Sequence, residues 1–178
     1  MSLRISFELD ESDLKHFQLI MEEARKTAGR LAPEDIVAGA EHLLKDVAES
    51  SAPGFIVDRI RKLRLMIDML SDVEWRLPHQ EAARVLNALA YFANPEDLIP
   101  DHIPGLGFLD DAIMIELVVR ELKHEIEAYQ DFCDYRDRSV NERGQKADVS
   151  RAGWLQDRRK ALQSRMRRRR KGRPRLLR

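Results

Sequence analysis

Apolar residues recur three and four apart through most of this chain, and that spacing constrains the fold more than any other feature. Leu14, Phe17, Met21, Ala24 and Ala28 form the first stripe, with Asp10 or Ser12 placed to cap it and Gly29 to end it. Pro33 suits the first turn of a second helix, followed by the acids Glu34 and Asp35 at its positive end. Ile36, Val37, Ala40, Leu44 and Val47 make its stripe. A turn at residues 50–54 leads to a third stripe, Phe55, Ile56, Ile60, Leu63, Ile67 and Leu70, backed by the basic residues Arg59, Arg61, Lys62 and Arg64. Those bases read as a solvated face. Trp75 sits in a short link of about one helical turn. Pro78 opens a helix through Glu81, Val85, Leu86, Leu89 and Phe92. Asp110 and Asp111 open the longest one, through Ile113, Leu117, Leu122, Ile126, Tyr129 and Phe132, fading near residues 137–139.

Two segments break the rhythm. Leu3, Ile5, Phe7 and Leu9 alternate strictly with polar residues, the period of a half-buried strand. No second such run follows, so this one either pairs with a copy of itself in a homodimer through residues 3–9 or lies along a helix. Residues 94–109 hold Pro95, Pro100, Pro104, Gly105 and Gly107, which exclude a continuous helix. Yet Leu98, Ile99, Ile103, Leu106, Phe108 and Leu109 make the stretch apolar, so it reads as a connector packed into the core.

Charge is balanced in total and divided in sequence. Lys plus Arg and Asp plus Glu both number 31. Residues 151–178 hold 13 bases and the single acid Asp157, a net charge of +12, which leaves −12 on residues 1–150. The expected organisation is a helical domain over 1–138, a linker over 139–150 and an Arg-rich tail over 151–178. Trp154, Leu155, Ala161, Leu162 and Met166 give the tail a loose apolar face, and Gly172 and Pro174 end any helix there. Its candidate polyanion ligands are Arg158, Arg159, Arg165, Arg167, Arg168, Arg169, Arg170, Lys171, Arg173 and Arg175. Arg forks phosphates and stacks on bases, which favours nucleic acid. An anionic membrane surface, with Trp154 and Leu155 inserted, is the second reading, and a contact with the chain's own acidic body is the third.

Residues 89–120 carry a motif. Pro95, Asp97, Leu98, Ile99, Pro100, Asp101, Ile103 and Pro104 are followed by Gly107, Asp110 and Asp111. The order of prolines and acids resembles the YkvA-like family, a bacterial domain of unknown function numbered twelve thirty-two. The match covers about a fifth of the chain, within a family-like core over 78–138. The resemblance implies a small helical domain and brings no established activity. Some members are thought to be membrane-associated, whereas this chain keeps acids throughout its apolar stretches.

The four aspartates admit two readings. Folded together, Asp97, Asp101, Asp110 and Asp111 would suit Mg²⁺, Mn²⁺ or Ca²⁺, with His102 or His124 adding a nitrogen, and a bound metal would suit phosphoester chemistry. Taken singly, they are helix caps and turn acceptors. Other chemistry is thin. Glu121 and His124 match one half of a di-iron motif that needs a second copy. Gly105 and Gly107 lack the Lys-Ser/Thr of a phosphate loop. A lone Cys133 excludes an internal disulfide. No apolar run reaches the roughly 20 residues of a membrane span, and the first residues have no apolar signal core. The chain is therefore expected to be an all-α bundle of five or six helices with a Pro-rich packed connector and a basic extension. Its expected role is that of a cytoplasmic, non-enzymatic binding or adaptor protein. A metal-dependent phosphoester enzyme and a peripheral membrane protein are the rivals.

Overall fold

The computed structural model describes residues 8–93, 107–143 and 148–172. Among them the fold is all-α. Seven α-helices run in order: α1 (Glu11–Ala28), α2 (Pro33–Glu49), α3 (Gly54–Ser71), α4 (His79–Leu89), α5 (Leu109–Glu121), α6 (Lys123–Arg143) and α7 (Asp148–Lys171), with a 3-10 turn at Ala90–Ala93. The expected five or six helices become seven because the long stretch after Asp110 divides at Leu122. The apolar spacing gives no sign of that division, since the buried Ile115, Val118, Leu122 and Ile126 follow one another three and four apart. The alternating segment and the Pro-rich connector fall largely outside the described residues, so the expected strand and packed connector lie there too.

Local chemistry sets the helix ends. Asp10 Oδ1 accepts from the backbone N–H groups of Ser12 and Asp13 at 2.8 and 3.0 Å, the side-chain cap of α1. Gly29 N–H closes the last turn on the Arg25 carbonyl at 3.1 Å. Pro33, which has no N–H to satisfy, begins α2, and the N-cap residue Ala32 has no acceptor with which to form a side-chain cap.

The chain divides into two compact units, Met1–Leu63 with Leu86–Val118, and Arg64–Val85 with Val119–Arg178. In the first, α1 and α2 both pack on the 3-10 turn. Gly39 allows that approach: a Cβ there would stand 2.3 Å from the Phe92 carbonyl oxygen and 2.6 Å from Ala93 Cα. Met21, Ile36, Ala40, Leu44, Val47, Tyr91 and Phe92 are buried around it. Phe55, expected to face inward, is 44% exposed, while Ile56, one residue on, is fully buried.

In the second unit, α7 packs along α6. Trp75, Tyr129 and Phe132 form its aromatic centre, with ring centroids 5.7 and 5.1 Å from the Trp75 ring. Leu155, Leu162 and Met166 of α7 are buried, so the Arg-rich segment supplies part of this core. Gln163 Nε2 donates to the Trp75 carbonyl at 3.0 Å. That bond occupies a carbonyl in the irregular turn after α3, where Arg76 takes a positive φ of 48°.

Candidate functional site

The basic helix α7 presents two parallel rows of polar residues. Arg159, Gln163, Arg167 and Arg170 follow one another at steps of four, four and three. Lys160, Ser164, Arg168 and Lys171 do the same one residue later. At about 100° per residue the rows lie side by side on the helix. The burial of Leu155, Leu162 and Met166 decides which row turns inward.

The inner row is consumed. Arg159 donates to the Glu74 carbonyl at 3.0 Å. Arg167 Nε donates to Glu81 at 2.9 Å. Arg170 lies 3.4 Å from Glu125 and 3.8 Å from Glu81. Arg84, from α4, donates to the same Glu125 oxygen at 2.9 Å and to the Glu121 carbonyl at 3.3 Å. Two nearly buried carboxylates, Glu81 and Glu125, are thus matched by three guanidiniums. On the flank facing α6, Arg165 pairs with Asp131 and Arg169 reaches Glu127 at 3.4 Å. The outer row makes no such pair: Lys160, Arg168 and Lys171 are exposed, with no ion pair among the described residues.

Of the ten bases expected to grip a polyanion, Arg159, Arg165, Arg167, Arg169 and Arg170 are therefore engaged within the chain. Arg168 and Lys171 face outward. Arg158 lies over the Tyr135 ring at 5.2 Å, with no carboxylate partner among the described residues. Arg173 and Arg175 fall outside the described residues. Lys160 and Tyr135 were not among the expected ligands. Helical spacing alone joins Lys160 to Arg168 and Lys171, whereas Tyr135 reaches Arg158 only through the pairing of α6 with α7.

A second polar cluster holds the turn beneath α7. Asp72 Oδ1 accepts from the N–H groups of Glu74 and Trp75 at 2.9 and 3.0 Å, and Oδ2 accepts from the Tyr129 hydroxyl at 2.9 Å. Arg136 bridges Asp72 and Glu74, both at 2.9 Å. Burial opposes the charge on Asp72, but the Trp75 N–H, the Tyr129 hydroxyl and Arg136 outweigh it and lower its pKa. Burial, and then the bond to Asp72, push the Tyr129 pKa up, so the phenol keeps its proton. Burial also raises Cys133, against the opposing pull of Tyr129 and Arg136. A thiol held protonated is a poor nucleophile, so this cluster reads as architecture.

The aspartate reading needs correction. Among the described residues no group of three or more His, Cys, Asp or Glu side chains could hold a metal ion, which overturns the expected Mg²⁺, Mn²⁺ or Ca²⁺. Asp110 and Asp111 are both buried in the first turn of α5, where the positive helix end favours carboxylates. Asp110 Oδ1 accepts from the Asp111 N–H at 3.0 Å. Asp97 and Asp101 lie outside the described residues. His124, in α6, stands 3.8 Å from Glu127, its one carboxylate within ion-pair reach among the described residues.

Comparison with known proteins agrees with the motif. Residues 82–117 match the family described as protein of unknown function DUF1232. A protein of Bacillus subtilis (strain 168), named uncharacterized membrane protein YkvA, is 35% identical over 77 residues, covering 40% of this chain and 71% of that protein. No solved structure matches. No helix among the described residues is long and apolar enough to cross a membrane.

Proposed function

This chain belongs to the DUF1232, YkvA-like family, and from that premise we propose that it is a non-enzymatic binding module whose α7 presents its outer basic row to a polyanion, nucleic acid first. The observation that carries the reading is the division of α7 into two rows. The inner Arg167 and Arg170 are paired with Glu81 and Glu125, Arg159 with a carbonyl, and the flanking Arg165 and Arg169 with Asp131 and Glu127, while Lys160, Arg168 and Lys171 remain open to solvent. The acidic partners fix the helix in place, and the outer bases are left for something else. A nucleic-acid partner would place the protein in the cytoplasm.

The Bacillus relative is named a membrane protein, which makes an anionic bilayer the competing surface. Against it, Leu155, Leu162 and Met166 are already buried in the protein, so α7 has little apolar face left to insert.

Salt dependence tests the proposal. Ten phosphate contacts would give a log–log slope of about −7 to −9, whereas the three outer bases account for about −2 to −3. Arg173 and Arg175 each add roughly one unit if they join. Replacing Lys160, Arg168 and Lys171 together with Gln should remove those two to three units and most of the affinity. An unchanged slope in the triple variant refutes the reading. Recruitment to anionic vesicles without binding to nucleic acid transfers it to the membrane.

A further inference from the structure

Tyr135 of α6 and Trp154 and Arg158 of α7 form a cluster that the basic rows do not explain. The Tyr135 and Trp154 rings meet edge to face, with centroids 5.4 Å apart. The Arg158 guanidinium carbon lies 5.2 Å from the Tyr135 centroid. All three side chains are half-buried, unlike Trp75, which is sealed in the core. Arg158 is a cation held by a ring instead of an acid: its Nε is buried with no hydrogen-bond partner, and it makes no ion pair among the described residues. Among the described side chains on the α6 side of α7, the other bases pair with carboxylates, Arg165 with Asp131 and Arg169 with Glu127. By helical geometry Trp154 lies about 40° around the axis from Arg168 and about 21 Å along it, while Lys160 is about 120° around, so a partner that meets both the rings and the outer row must run along α7.

We infer that Tyr135, Trp154 and Arg158 form a stacking platform, and that the partner of α7 is single-stranded nucleic acid. The inference rests on the polyanion reading of α7 and names its partner. Bases stacked in a duplex offer their faces to one another, whereas a single strand can lay a base on an aromatic ring or a guanidinium plane. The outer bases Lys160, Arg168 and Lys171 then track the phosphates. Such an arrangement favours single strands over duplexes and is tolerant of sequence, because every base has a face to stack.

The test uses the full chain with an oligo(dT) of about 16 nucleotides and a mixed-sequence duplex of the same length. Trp75 is buried, so a change in tryptophan emission on binding reports Trp154. The expected result is quenching by the single strand, with binding at least about fivefold tighter than to the duplex. Trp154→Leu and Arg158→Gln, measured by anisotropy of a labelled oligonucleotide, should each weaken single-strand binding, the former by about 5- to 150-fold, and leave the salt slope unchanged. Equal binding of both forms without quenching overturns the platform and leaves the basic row standing. Binding of neither form overturns both. The wild-type quench decides the matter even where a variant fails to fold.

Discussion

Glu125 is where the stability of the α7 clamp is most concentrated, and Glu125→Gln measures it. The carboxylate is 1% exposed and receives Arg84 at 2.9 Å and Arg170 at 3.4 Å. Gln keeps the volume and removes the charge that both guanidiniums face. Its second oxygen, Oε2, is buried with no hydrogen-bond partner among the described residues, so an amide nitrogen placed there gains nothing. Deleting one member of a fully buried pair costs about 3–5 kcal/mol. Arg84 and Arg170 are 36% and 30% exposed, so water recovers part of the loss. The expected cost is then about 1–3 kcal/mol. At about 2–4 °C per kcal/mol for a chain of this size, Tm should fall by about 2–12 °C. The control is Glu127→Gln. Glu127 is 38% exposed and faces Arg169, itself 50% exposed, so its loss should cost at most about 1 kcal/mol. Thermal melts followed by tryptophan emission read the second unit directly, since Trp75 and Trp154 both lie in it. Equal Tm shifts in the two variants would refute the argument that burial grades these pairs.

Gly39→Ala should destabilise by about 1–3 kcal/mol, although Gly to Ala in an open helix stabilises by about 1, because the new methyl meets the Phe92 carbonyl; urea melts of the two variants Gly39→Ala and Gly54→Ala, the latter facing open space, separate the effects. The lowered pKa of Asp72 means that its contribution is present above the unfolded value of about 3.9 and is lost as pH falls through the folded one. Asp72→Asn should therefore lower Tm near neutral pH and flatten its decline in acid, as read by melts across that range. Removing residues 148–178 should uncover Trp75 and Phe132, visible as a red shift in emission relative to full-length Trp154→Phe, in which Trp75 is likewise the sole tryptophan, and as loss of cooperative melting of the second unit; emission equal to that variant's would show that α7 is not part of that core.

The site was less legible than the helices. Arg159 and Lys160, or Arg167 and Arg168, are adjacent bases of equal helical propensity and charge. Nothing local marks one as clamped and its neighbour as free. The sign of their surroundings comes from Glu81, Glu125 and Asp131, which are 86, 45 and 34 residues away from the arginines they pair with. The metal reading failed for a related reason. A carboxylate at the start of a helix has the same local signature whether it caps backbone or binds an ion. Only the number of donors that converge separates the two.

By itself the sequence determined where helices form. Their signals are short-range: Asp10 two residues before Ser12, Pro33 at the head of α2, Gly29 at the end of α1, and apolar side chains three and four apart. It also determined that one end of the chain is strongly basic, since charge is a property of composition. Tertiary structure alone decided that this basic segment is a core element. The burial of Leu155, Leu162 and Met166 against α6 and the Trp75 turn fixes the rotation of α7 about its axis. That rotation places Arg159, Arg167 and Arg170 on carboxylates or a carbonyl and leaves Lys160, Arg168 and Lys171 in water. The physical reason is range. Propensity and spacing act within one or two turns, whereas the partner of a long charged side chain is chosen by which apolar faces of distant helices close on each other.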